Sequence, residues 1–232
     1  MAEIQLTGFD HCEFWVANAR QAAYYYCRAF GFRLFAYRGL ETGSRDLVSY
    51  VLEQDRIRLV LTSPYGPDSE LNAHIQAHGD GVRDVAFGAK DARLAWKTAV
   101  DREAKSVQEP TILEDEHGVV VAASIGTFGD TVHTFVQRNN YSGLFLPGFK
   151  EPPFALEALA NPGLVHMDHI VGNQPDLEME PVVQWYEKIL EFHRYWTVDD
   201  KDISTEYSAL RSIMVANDNE KIKMPINEPA PG

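Results

Sequence analysis

The sequence predicts an α+β fold of repeated βαβββ units, three of them along 232 residues. Three stretches, starting at Gly8, Gly81 and Leu164, begin with a strand-like run and continue into an amphipathic helix. In each helix, five apolar residues recur at i, i+3, i+4, i+7 and i+8, the spacing of a face that packs on a sheet. Three β-rich pieces follow each helix, so strands and helices are mixed within every unit.

The same spacing predicts which side of each helix is buried. The predicted core faces are Ala22, Tyr25, Tyr26, Ala29 and Phe30 in the first unit, Ala92, Ala95, Trp96, Ala99 and Val100 in the second, and Val182, Trp185, Tyr186, Ile189 and Leu190 in the third. We therefore expect Phe30 and Trp96 to be largely buried, and residues 8–64 and 81–138 to form the first two units.

The opening strand of the third unit has a predicted inner and outer face. Side chains alternate along a strand, so Val165, Met167, His169 and Val171 are expected on one face of the sheet and Ile170 on the other. This assignment decides which side chains can reach a site inside the curved sheet.

A proline-rich stretch divides the chain. Residues 139–163 contain four prolines and no predicted strand, which is typical of a linker. The sequence thus predicts an N-terminal domain of two units at 1–140, a linker at 141–163 and the first half of a second domain at 164–232.

Composition argues against several classes of protein. Twenty-one basic against 34 acidic residues give a net charge of −13, which does not suit a nucleic-acid-binding protein. No apolar run reaches the roughly 20 residues of a membrane helix, and the start does not resemble a signal peptide. We therefore expect a soluble, cytoplasmic protein. Cys12 and Cys27 are too few for a disulfide framework and are expected to be buried apolar residues.

Two of the eight histidines follow an aspartate in the opening strand of a unit, as Asp10-His11 and Asp168-His169. A histidine inside a curved sheet can bind a divalent metal through a neutral ring nitrogen. From spacing alone, a structural histidine in the core or on the surface is the alternative. The sequence has no dinucleotide-binding glycine motif, phosphate-binding loop or nucleophile elbow, which argues against those enzyme classes.

Long strings along the chain resemble the 4-hydroxyphenylpyruvate dioxygenase family. In the third unit they are MDHIVGNQPD, WYEKILEFHRYWTVDD, STEYSALRS and IKMPINEPAPG. The strings GFDHCEFWVANARQAAYYYCRAFGF, HGDGVRDVAFGAKDA and SGLFLPGF are similar to the first domain and linker of the same family. The family belongs to the vicinal oxygen chelate superfamily, whose βαβββ units agree with the repeat.

The resemblance implies an enzyme that uses Fe(II) and O2 to convert 4-hydroxyphenylpyruvate into homogentisate and CO2, in tyrosine and phenylalanine catabolism. Such a site holds Fe(II) with two histidines and one carboxylate, which leaves positions open for substrate and O2. His169 matches the first ligand, and Ser212, Asn227 and Pro225 match residues of the substrate pocket. The resemblance further implies that the full-length enzyme is a homo-oligomer.

The family's fourth unit, which carries the second histidine and the carboxylate, is absent from this sequence. We therefore expect a chain truncated before the last unit and inactive alone, with His169 as its one Fe(II) ligand. Two alternatives stay open. One is a non-catalytic protein of paired units that binds a partner chain. The other is an enzyme similar to hydroxymandelate synthase, which uses the same substrate and metal, although Asn227 favours homogentisate formation.

Overall fold

Three βαβββ units follow one another in the computed structural model, which describes residues 4–198 and 209–230. The elements of the first unit are β1 (Leu6–Trp15), α1 (Ala19–Phe30), β2 (Arg33–Arg38), β3 (Leu47–Gln54) and β4 (Ile57–Pro64), with a 3-10 turn at Leu40–Thr42. A helix that the sequence pattern did not predict, α2 (Glu70–His78), leads to the second unit. The elements of the second unit are β5 (Gly81–Ala89), α3 (Ala92–Asp101), β6 (Ser106–Asp115), β7 (Gly118–Gly126) and β8 (Val132–Tyr141). Those of the third are β9 (Gly172–Asn173), α4 (Met179–Leu190), β10 (His193–Val198), β11 (Leu210–Ala216) and β12 (Lys223–Pro229).

The first two units share one curved sheet, and the third has its own. The eight-stranded sheet has the order β2-β3-β4-β1-β5-β8-β7-β6, and the antiparallel β1–β5 pair joins its halves. The four-stranded sheet has the order β10-β11-β12-β9, with β9 parallel to β12. The predicted α+β fold of βαβββ units is confirmed. Among the described residues, no helix has the length and apolar character needed to span a bilayer.

Helix α1 packs by a different face from the predicted one. Its buried residues are Ala19, Ala23 and Cys27, whereas Phe30 is 40% exposed. Small side chains on the sheet side let the helix approach the strands closely. The aromatic residues instead contact one another near the surface, with the rings of Tyr25 and Phe30 5.6 Å apart. The prediction that Phe30 is largely buried is therefore wrong.

The predicted faces of α3 and α4 agree better with the structure. Ala95 and Ala99 of α3 are buried, and so are Ile189 and Leu190 of α4. Trp96 is partly buried against the same core, so it is less enclosed than predicted. The structure also shows both cysteines buried and unpaired, as expected.

The opening strand of the third unit is shorter than predicted. Only the two residues of β9 pair with β12, and residues 161–171 form no regular secondary structure. If the β9–β12 pairing continued towards the N-terminus, His169 would lie opposite Lys223, the first residue of β12. The residues before His169 therefore have no β12 residue to pair with. The predicted alternation agrees with the structure at His169 and Val171, which are exposed, and at Ile170, which packs against the core. It is wrong for Met167, which packs against the same core as Ile170.

The third unit is joined to the second through the side-by-side helices α3 and α4. Tyr186 of α4 and His133 of β8 are both fully buried, and the Tyr186 hydroxyl lies 2.8 Å from His133 Nε2. His133 Nδ1 donates to the Val85 carbonyl at 2.9 Å. Because Nδ1 carries the proton of the neutral ring, Nε2 accepts from the tyrosine hydroxyl. Burial lowers the pKa of His133 to about 4, which keeps the ring neutral near pH 7.

The curved eight-stranded sheet lines a partly open cavity of about 290 Å³ that contains both polar and apolar side chains. The predicted linker contributes Phe145, which is 2% exposed, to the cavity lining. Asp10, in β1, accepts two hydrogen bonds from Arg138, at 2.7 and 2.8 Å, and one from His11 at 2.7 Å. Burial opposes the charge of Asp10, but the hydrogen bonds from Arg138 and His11 outweigh it and hold its pKa well below the usual range. The Asp10-His11 pair is thus part of a buried ion-pair network.

Two acidic residues face each other in this cavity. Glu13 of β1 lies directly opposite Asp84 of β5, an arrangement in which like charges repel. Burial, with a contribution from the Glu13 charge, raises the pKa of Asp84 from 3.8 to about 6, although hydrogen bonds from Thr134 act in the opposite direction. The charge of Asp84 therefore changes close to neutral pH.

We expect Tyr186→Phe to lower the free energy of unfolding by about 1–3 kcal/mol, because it leaves the buried His133 Nε2 without a donor. Tyr24→Phe, at a side chain that is 56% exposed, is the matched control and should change little. Urea unfolding of the two variants measures the difference. Equal stability of both variants would contradict the role given to this contact.

Asp84→Asn should stabilise the protein at pH 8 and have little effect at pH 4. Between about pH 3.8 and 6 the folded state binds more protons than the unfolded state, so stability falls as the pH rises. Removing the carboxylate should therefore raise the free energy of unfolding by about 2–3 kcal/mol above pH 6. Urea titrations at both pH values test this, with the exposed Asp68→Asn as control. A gain that is the same at both pH values would exclude the charge of Asp84 as its cause.

Candidate functional site

One face of the four-stranded sheet is covered by α4, and the other face is not. The covered face carries Ile213 and Val215 of β11 and Met224 and Ile226 of β12, which are all buried in one core with α4. The residues between them point to the opposite face, because side chains alternate along a strand.

The three predicted substrate-binding residues lie on that opposite face. Ser212 is directly opposite Asn227 in the β11–β12 pair, and Asn227 is opposite Asn173 in β9. The Asn227 amide donates to Asn173 Oδ1 at 3.2 Å. Pro225, two residues before Asn227, shares its face. The structure thus brings Ser212, Asn227 and Pro225 together on two neighbouring strands.

His169 lies just before β9, with its side chain 47% exposed. Its Nδ1 is 2.8 Å from Asp168 Oδ2. Because an ionised carboxylate only accepts hydrogen bonds, Nδ1 carries the proton, and in the neutral ring Nε2 keeps a lone pair free for a metal. The hydrogen bond from His169, followed by the charge of Lys223 at 3.5 Å, holds the pKa of Asp168 below its usual range. Asp168 therefore orients the His169 ring.

His166 lies against a different part of the surface. It lines a cleft of about 390 Å³ between β1 and the third unit, together with Phe9 and Met167. His166 Nε2 is 3.9 Å from Asp168 Oδ1, whereas His169 contacts Oδ2 of the same carboxylate. His169 is not part of the cleft lining.

Among the residues that the structure describes, no complete Fe(II) site forms at His169. In residues 4–198 and 209–230, three side chains of the metal-ligating types come within reach of one ion at one place, His74, His78 and Asp130. The residues present near His169 therefore fit the role of a single ligand, and a full set of three requires groups from outside the described chain.

The group formed by His74, His78 and Asp130 was not predicted from the sequence. The spacing of four residues between the histidines was a usable signal once α2 was recognised as a helix. Asp130 comes from the turn between β7 and β8, and no local pattern connects it with α2.

Comparisons with known proteins agree on the family. A family model described as hydroxyphenylpyruvate dioxygenase, HPPD, N-terminal, matches residues 2–145. A 4-hydroxyphenylpyruvate dioxygenase of Xenopus tropicalis is 55% identical over 97% of this chain, and one of Dictyostelium discoideum is 52% identical over 98%. The chain spans 58% and 63% of the lengths of these two relatives.

Solved structures give the same picture. A mutant of 4-hydroxymandelate synthase from Streptomyces coelicolor superimposes with a TM-score of 0.83 at 26% identity, over 98% of this chain and 65% of that one. A xylose isomerase-like TIM barrel/4-hydroxyphenylpyruvate dioxygenase fusion protein shares the fold, with a TM-score of 0.71 at 17% identity over 98% of this chain and 33% of that one. The family match over the first two units, together with relatives that are more than half identical along nearly the whole chain, shows that this chain belongs to the hydroxyphenylpyruvate dioxygenase family.

Proposed function

We propose that this chain supplies one Fe(II) ligand and one wall of the substrate pocket to a 4-hydroxyphenylpyruvate dioxygenase that forms homogentisate. The observation that carries the proposal is that the candidate pocket residues share one face of the second sheet. Ser212, Pro225 and Asn227 lie on the face that α4 leaves uncovered. His169 precedes Asn173 by four residues, an even number, so an extended backbone turns it towards the same face.

The side chains on this face suit a keto acid substrate. The Ser212 hydroxyl and the Asn227 amide can donate hydrogen bonds to carboxylate or carbonyl oxygens. Pro225 offers an apolar surface to an aromatic ring. Fe(II), when bound, would supply the oxygen chemistry. The role of this chain is to hold the His169 ring through Asp168 and to orient the substrate beside it.

A second candidate function is formation of hydroxymandelate from the same substrate. Structural similarity to 4-hydroxymandelate synthase over 98% of this chain favours keeping it as a candidate. The two functions differ in the carbon that is oxidised, so the product identifies the reaction. Homogentisate is the product we propose.

The isolated 232-residue chain should bind Fe(II) weakly at the His169 site and form no detectable homogentisate. A facial triad needs three ligands, and His169 offers one. The assay combines the chain with Fe(II), ascorbate, O2 and 4-hydroxyphenylpyruvate, and measures homogentisate and CO2. Turnover that disappears in His169→Ala would show that the remaining ligands come from this chain after all.

Joining this chain to the remaining C-terminal part of the Xenopus tropicalis relative should give an active enzyme. In that fusion, His169→Ala should lower kcat/KM by about 100-fold or more, because a lost metal ligand removes several kcal/mol of transition-state stabilisation. His166→Ala, three residues away, is the matched control and should retain most of the activity. Iron content measured on the same samples shows whether the loss follows the metal. Full activity and iron in His169→Ala would refute the ligand assignment.

A further inference from the structure

Helix α2 presents two histidines on one side. His74 and His78 are four residues apart, which places them one above the other on the same helical face. Their ring centroids are 4.5 Å apart. The Trp15 ring packs edge-on against His74 at 5.1 Å and half-buries it, whereas His78 is exposed.

A carboxylate from a distant part of the chain completes the group. Asp130 lies in the turn before β8, and its Oδ2 is 2.8 Å from His78 Nε2. One ligand atom from each of the three side chains lies within 4.8 Å of the other two. Among the described residues, none hydrogen-bonds to the His74 ring. The His78–Asp130 hydrogen bond therefore does not account for the position of His74 beside these two side chains.

The distances suit a common metal ion. Zinc binds imidazole nitrogen and carboxylate oxygen at about 2.0–2.2 Å, so two ligand atoms on one tetrahedral ion lie about 3.4 Å apart. The 2.8 Å separation of His78 Nε2 and Asp130 Oδ2 is near this value, and the ligand atom of His74 lies within 4.8 Å of those of the other two residues. Binding of one ion would therefore need a shift of roughly an ångström at His74. Two imidazoles and a carboxylate suit first-row transition metals rather than calcium or magnesium, which prefer oxygen ligands only.

We propose that His74, His78 and Asp130 form a site for one divalent transition-metal ion, with water in the remaining position. The bound ion would connect α2, which links the first two units along the chain, to the β7–β8 turn of the second unit. All three ligands lie within the first 145 residues, so the site does not depend on the proposed role of His169.

The test is metal binding by the full chain, with zinc as the probe. Isothermal titration should show a zinc site of one ion per chain whose Kd rises by about tenfold or more in His78→Ala and in Asp130→Asn. Cobalt(II) bound at the same site should give visible absorption bands that these variants lose. His117→Ala is the matched control, because its ring is 53% exposed in the β6–β7 turn and outside the group. His169→Ala is the second control, and both should bind zinc as the wild type does.

His74→Ala removes the third ligand and also a contact with Trp15, so circular dichroism must first show that this variant is folded. If His74→Ala is not folded, the variants of the exposed residues His78 and Asp130 still test the proposal. Zinc affinity that is unchanged in His78→Ala and Asp130→Asn would overturn the proposal, as would binding that disappears only in His169→Ala. A zinc-dependent rise in melting temperature that His78→Ala abolishes would support it.

Discussion

The contact between Tyr186 and His133 is the constraint on which the arrangement of the three units depends. Both side chains are fully buried, and each supplies the hydrogen-bonding partner that the other lacks. A buried polar group without a partner is costly, so α4 can pack against β8 only where the hydroxyl meets the ring nitrogen. Phe192 stacks on Tyr186 at 5.6 Å and continues the same core. This combination of polar matching and apolar burial favours one position of the third unit over others.

Because α3 and α4 lie between the two sheets, the polar side chains of the cavity and of the candidate pocket lie on the sheet faces that point away from these helices. In the first sheet this face closes around a cavity, where burial makes the Asp84 carboxylate titrate near pH 6. In the second sheet the corresponding face is the one that α4 does not cover, and it carries Ser212 and Asn227.

Much of the fold follows from local patterns, and the failures have identifiable causes. Spacing located α3 and α4 and most of their buried residues, since each helix has one sheet to cover. It failed for α1, where the aromatic residues contact one another and alanines face the strands. It also predicted a full strand before β9, although β12 is too short to pair with residues before His169.

Periodicity, turn residues and family-like strings were sufficient to predict the unit and its repetition, and the pocket residues that they indicated stay a prediction. These features depend on residues that are close together in the chain, because a helix or a strand directly fixes the relative positions of such residues. Long-range packing alone decided which helix face is buried, which carboxylate loses its charge near neutral pH, and which histidines come together. Asp130 is 52 residues from His78, and their 2.8 Å contact exists because β5 and β8 pair in parallel, which places the residues just before the two strands side by side. No local pattern encodes such a distance, since it is set by the sum of contacts across the whole sheet.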